Sequence, residues 1–230
     1  MIHIAVIQGP DSPAKEIHLA LERAAMQAHR ILWNESETNL ADFQGYILID
    51  NFSSYRQQLK EQSASGKPIL GMGKGVQVLV ETGLLPGLEG NQVGMVLSDS
   101  QLINAKNYVR LSQGYQWNAF TRCLKPNTIL SVSLDSLAKG RFIISPVLLA
   151  EIERNGLHVL QYCDEKGVIA DGPYNIAAIS NKAGNVMGII PPHTGHEVIF
   201  QSMRQYINLG YPVQPLVLDY QPRFQKERTC

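Results

Sequence analysis

The chain has 230 residues, enough for one large domain or two small ones. Its 20 Lys and Arg balance 20 Asp and Glu, so it carries no net charge that would draw it to nucleic acid or to an anionic membrane surface. No apolar run approaches a membrane span, residues 1–7 lack the features of a signal peptide, and three widely spaced cysteines (Cys123, Cys163, Cys230) make neither a metal motif nor a disulfide framework. Such a chain is expected in a reducing cytoplasm.

Residues 2–7 are a continuous apolar, β-branched run, the pattern of a strand covered on both faces. A turn follows at residues 8–13, and Ile17, Leu19, Ala20, Leu21, Ala24 and Ala25 form a helical stripe over 14–28. Residues 30–33, 46–49 and 67–70 read as three further strands. Strands that alternate with helices predict a mostly parallel sheet with helical crossovers. Beyond residue 87, the pattern predicts strands in a meander over 91–111, a strand at 129–134 and an amphipathic helix at 146–155 ended by Gly156. A strand at 159–164, a hairpin over 175–191 turning at Lys182, Ala183 and Gly184, and a closing helix at 200–209 complete the chain. With no internal repeat, low-complexity tract or linker, residues 1–230 are expected to form a single domain.

The informative stretch is 66–87. A short apolar run is followed by Gly71, Gly73 and Gly75 at alternate positions, and then by Val76, Val78, Leu79 and Val80, which open an apolar helix that stops at Gly83. A strand, a sharp turn and a helix in this order form a nucleophile elbow, which holds one reactive side chain on a tight turn at the top of a sheet. The residue at the apex is Gly73, which has no side chain; positive φ or other tight backbone geometry is predicted there.

This stretch resembles the elbow of class-I glutamine amidotransferases, G-x-C-x-G-x-Q. It is most similar to the glutaminase subunit of phosphoribosylformylglycinamidine synthase, whose pattern there is G-K-P-(I/V)-L-G-I-C-N-G-F-Q-x-L-x-E-A-G-L-L-P-G. Gly73 replaces the Cys, Lys74 the Asn and Val76 the Phe, while Gly71, Gly75, Gln77 and the Gly83-Leu84-Leu85-Pro86-Gly87 tail match. The similarity extends over most of the chain: 35–40 resembles the W-H-x-E-T-D-L segment, 118–124 resembles T-P-F-T-R-x-L, 159–164 resembles V-x-R-Y-C-D, and 175–191 resembles N-x-I-A-G-I-x-N-x-x-G-N-V-L-G-(L/M)-M-P. The resemblance implies a flavodoxin-like α/β fold, a mostly parallel central sheet flanked by helices. It also implies a synthetase subunit as partner, to which ATP and Mg would belong; no cofactor is expected in this chain.

The resemblance also marks the departures. The family's L-P-G-G-F-S loop, whose glycine amides help to form an oxyanion hole, reads Ile49-Asp50-Asn51-Phe52-Ser53 here. A carboxylate at Asp50 would oppose a developing oxyanion. The family's M-P-H-P-E-R, with His as base and Glu as its orienter, reads Pro191-Pro192-His193-Thr194-Gly195-His196-Glu197, with no His-x-Glu pair left. His193, His196 and Glu197 are displaced base candidates, and no third convergent ligand makes them a metal site. The His and Glu of a further loop are also missing around 136–142. Three functional readings remain open. The chain is a homologue that has lost glutamine hydrolysis and is retained as a structural or regulatory subunit; or a stand-alone small-molecule-binding protein using the former glutamine pocket, with Lys74 supplying a cation; or a hydrolase whose nucleophile has moved to Ser53 or Ser54. Cys163 is expected to be structural.

Overall fold

The structure is a computed structural model. It describes residues 1–12, 14–34, 38–88, 94–97, 108–112, 117–125, 128–131, 140–169, 175–190 and 196–211. Five strands form the parallel half of the main sheet: β1 (His3–Gln8), β2 (Gln27–Leu32), β3 (Gly45–Leu48), β4 (Ile69–Met72) and, much later in the chain, β11 (Val186–Ile189). Their order is β2-β1-β3-β4-β11, every neighbouring pair parallel. This is the flavodoxin-like order. The sheet then continues through β10 (Ile176–Ser180), β9 (His158–Cys163), β6 (Tyr108–Leu111) and β7 (Ile129–Ser131), all paired antiparallel. The expected mostly parallel sheet is therefore mixed. The reason is local: the β10–β11 turn is too short for a crossover, so it forces an antiparallel return.

The sheet lies between two helical layers. On one face α1 (Lys15–Arg23) and α5 (His196–Asn208) bury Ile17, Leu21, Ile199, Phe200 and Met203 against Ile4, Val6, Ile47 and Leu70. On the other, α2 (Arg56–Ala64), α3 (Gly75–Glu81) and α4 (Pro146–Arg154) bury Leu59, Val76, Leu79, Leu148 and Ile152 against Ala5, Ile7, Tyr46, Leu48 and Ile69. Successive residues of β1 and β3 thus enter opposite cores, which is why those strands read as unbroken apolar runs.

Several element bounds differ from the sequence pattern. α1 stops at Arg23 rather than near residue 28, because Ala25 adopts φ +55 and lets the Ala25 and Met26 amides close back on the Glu22 and Leu21 carbonyls. This closure normally recruits glycine, so an alanine gives no stop signal. The chain re-enters the sheet at once, and β2 begins at Gln27. The closing helix begins at His196, four residues early. Of the meander expected over 91–111, the two described strands do not pair with each other, and the rest lies outside the described residues. β5 (Gly94–Leu97) pairs with β8 (Gly140–Ile143) in a separate two-stranded sheet, while β6 joins the main sheet beside β9. Alternation identifies each strand, but the partner is chosen by which buried face it completes, here Val109 and Leu111 against Leu160.

The hairpin turns where the sequence places it. Asn181 accepts from the Val186 amide and donates to Asn185, whose own amide donates to the Ser63 and Lys67 carbonyls at 2.8 and 3.1 Å. The turn is thereby fastened to the end of α2. At the start of β9, His158 is buried with Nε2 lacking a hydrogen-bond partner, and desolvation pushes its pKa down to about 4 despite an opposing hydrogen bond from its ring to the Leu160 backbone. The unfolded value is near 6.5, so the folded state binds fewer protons between these limits. Its stabilising contribution is present above pH 6.5 and is lost as pH falls towards 4, on the order of 3 kcal/mol in all. Urea melts across pH 4–7 should show this slope in the native sequence and a flatter profile in His158→Gln.

Candidate functional site

The carboxyl ends of β3, β4 and β11 lie side by side, since Leu48 and Gly188 both pair with Gly71, and Ile189 pairs with Met72. The chain therefore leaves all three strands at one edge of the sheet. β4 ends at Met72, Gly73 and Lys74 form a turn, and α3 starts at Gly75. Gly73 sits at the apex with φ +55, in the left-handed region predicted from the glycine spacing. Its amide donates to the Ile189 carbonyl at 3.0 Å, and its carbonyl accepts from the Val76 amide at 3.2 Å. The apex is thus tied to β11 behind it and to the first turn of α3 ahead.

The flanking glycines have a different cause. A Cβ on Gly75 would lie 2.0 Å from the Leu48 carbonyl oxygen and 2.4 Å from its carbon, and one on Gly71 would lie 2.7 Å from Leu79 Cδ1 and 3.0 Å from the Gly75 carbonyl oxygen. The helix crosses the strand ends so closely that backbone meets backbone. Lys74 is exposed at the cap of α3. Gln77 donates to Glu81 at 2.6 Å; Glu81 pairs with Arg56, whose Nε donates to the Phe52 carbonyl at 3.3 Å. The buried Phe52 and the loop after β3 are in this way tied to α3.

The Asp50 carboxylate is held by the loop after β1. Its Oδ2 accepts from the Gly9 amide at 2.6 Å and from the Ser12 hydroxyl, both on the loop after β1. Both donors to the charge thus lie on the β1 side. Asn51 is exposed. The Ser54 hydroxyl donates to the Trp33 carbonyl, and Ser53 is exposed. His193 lies outside the described residues; His196 is the first residue of α5, and Glu197 is exposed and paired with Arg23 at 3.3 Å. Cys163 is buried in β9, as expected of a structural thiol, and Cys123 is exposed with Sγ 3.7 Å from Gln205 Oε1. His18 faces Gln8 Oε1 at 3.3 Å, and burial, with a smaller push from Arg30, outweighs Glu22 and holds its pKa below the ordinary value. Among the described residues no three His, Cys, Asp or Glu side chains converge on a metal position.

Sequence reasoning missed Gly9, Ser12 and Trp33, because Asp50 meets the first two across 41 and 38 residues and the turn after β1 carries no sign of that pairing. A cavity of about 210 Å³ lies at the other end of the sheet, lined by Ser63, Gly66, Asn181, Asn185 and Tyr206, away from the elbow.

The sheet order and the elbow on β4 define the fold as that of the class-I glutamine amidotransferases. Solved structures agree: PurLQS from Thermotoga maritima superposes with a TM-score of 0.66 over 90% of this chain and 99% of that one at 17% identity, and a glutamine amidotransferase from the same organism gives 0.51 over 90% and 83% at 12% identity. Phosphoribosylformylglycinamidine synthase subunit PurQ of Methanothrix thermoacetophila is 30% identical to this chain over 99% of both sequences. The chain belongs to the PurQ family. No family model matches it.

The Gly75 contact generates a stability prediction. Gly75→Ala forces a methyl group into the Leu48 carbonyl and should lower unfolding free energy by about 3 kcal/mol or more, read as a lower urea midpoint.

Proposed function

We propose that this chain docks on a synthetase subunit of phosphoribosylformylglycinamidine synthase, in purine biosynthesis in the cytoplasm, as a structural or regulatory subunit that does not itself hydrolyse glutamine. The observation that carries this reading is the apex of the elbow: Gly73 holds the turn and offers no nucleophile. Covalent glutamine hydrolysis needs a thiolate or alkoxide there, a base beside it and donors for the oxyanion. Loss of a triad nucleophile alone costs roughly 10⁶-fold in turnover, enough to end a physiological activity without help from the other departures. Family membership over the full length supports the retained partner. ATP and Mg would bind to that partner, which would draw on free ammonia.

The test is reconstitution with the synthetase subunit from the same cell. The two chains should co-elute, and amidine formation should proceed with ammonium and ATP but not with glutamine. Glutamine-dependent turnover of order 1 s⁻¹, an ordinary enzymatic rate, would overturn the reading and direct attention to Ser53, Ser54 and Cys123.

Gly73→Cys alone should leave glutaminase activity below detection. The thiol would have no His-x-Glu pair within 191–197 to deprotonate it, and Asp50-Asn51 stands where the family has its glycine pair. Recovery should require Gly73→Cys together with a rebuilt His-x-Glu segment and glycines at 50 and 51. A glutaminase assay with parallel thermal melts distinguishes inactivity from misfolding, and robust turnover by the single variant would show that the base and the oxyanion donors are intact.

A further inference from the structure

β1 and β3 are neighbours in the sheet, yet the chain leaves them in opposite directions, from β1 through α1 to β2 and from β3 through α2 to β4. The crevice between their carboxyl ends is the switch point at which open α/β sheets bind small ligands. Here it is filled from within. The Gly9 amide is shared between Ser12 Oγ at 3.0 Å and Asp50 Oδ2 at 2.6 Å, and the Ser12 hydroxyl donates to the same carboxylate oxygen. A methyl group built on Gly9 would lie 3.1 Å from Asp50 Oδ2, 3.2 Å from Trp33 Nε1 and 3.3 Å from Ser12 Oγ, so the indole N–H borders the same small space. Among the described residues that indole N–H has no acceptor of its own. Arg30 reaches the same loop from β2, donating to the Pro10 carbonyl at 2.8 Å.

An amide, a hydroxyl and an indole N–H around one space, with a guanidinium close by, make a receptor for an anion. We propose that the loop after β1 is a carboxylate-binding cradle and that Asp50 is its tethered ligand, an internal plug that holds the loop after β3 closed over the switch-point crevice. Tethering and its existing hydrogen bonds favour Asp50 over an external carboxylate, so the native protein should not take one up. Once the plug is cut away, a small monocarboxylate such as formate or acetate should enter in its place.

Thermal melts of the native chain, Asp50→Ala and Asp50→Ala/Ser12→Ala in acetate or formate, against chloride at equal ionic strength, test this. Asp50→Ala should melt lower, and acetate should raise its Tm saturably by several degrees while leaving the native chain and the double variant unmoved. An equal acetate shift in all three proteins, or none in Asp50→Ala, would overturn the proposal. If Asp50→Ala does not fold, hydrogen exchange in the native protein decides: the Gly9 amide should be protected, and exchange at an open-loop rate would reject the latch.

Discussion

The structure depends on one close approach, the first turn of α3 against the end of β3. At Gly75 the helix backbone lies against the Leu48 carbonyl with no room for a methyl group, and Gly71 admits Leu79 in the same way on β4. Close-packed interiors do not yield to such a clash by small adjustments. The two glycines therefore set the depth at which α3 sits on the sheet. That depth in turn decides where the chain must turn between β4 and α3, and it places Gly73 at the rim beside the ends of β3 and β11. The elbow is in this sense a by-product of helix–sheet packing, and it persists whatever residue occupies its apex.

Around this fixed point the loops are fastened by side chains rather than by further regular structure. Asp50 ties the loop after β3 to the loop after β1, and Arg56 with Glu81 and Gln77 ties its middle to α3. At the far end of the sheet, Asn181 and Asn185 do the same for the β10–β11 turn, with the Asn185 amide donating to the Ser63 and Lys67 carbonyls at the end of α2. Both ends of the parallel sheet are thus closed by short polar networks, while the two apolar cores supply most of the burial between them.

How much of this was legible follows from where each signal is stored. Strands buried on both faces announce themselves as apolar runs, and Gly156, with φ +64, ended its helix where the glycine stood. Ala25 makes a similar left-handed closure with a residue that normally avoids it, so the end of α1 was invisible. The glycines at 71, 73 and 75 were read as one motif, yet they answer to two different demands, close approach at the outer pair and positive φ at the apex. Strand partners were less legible than strands. β5 and β8 are separated by 42 residues, and neither carries a mark of the other. The Asp50 latch was missed for the same reason, since a carboxylate in a loop says nothing about which distant amide will hold it.

The left-handed backbone at Gly73 bears on how the chain can change over time. A residue with a Cβ in that region is disfavoured by roughly 1–2 kcal/mol, and natural proteins keep only a few kcal/mol in reserve before folding fails. Replacing a side chain by glycine at the apex releases that strain at once; replacing glycine by any side chain reimposes it. The substitution therefore works as a ratchet in stability: entry into the glycine form is downhill, and exit is uphill. A lineage that has taken this step is held there by the folding free energy itself, independently of any selection on what the subunit does.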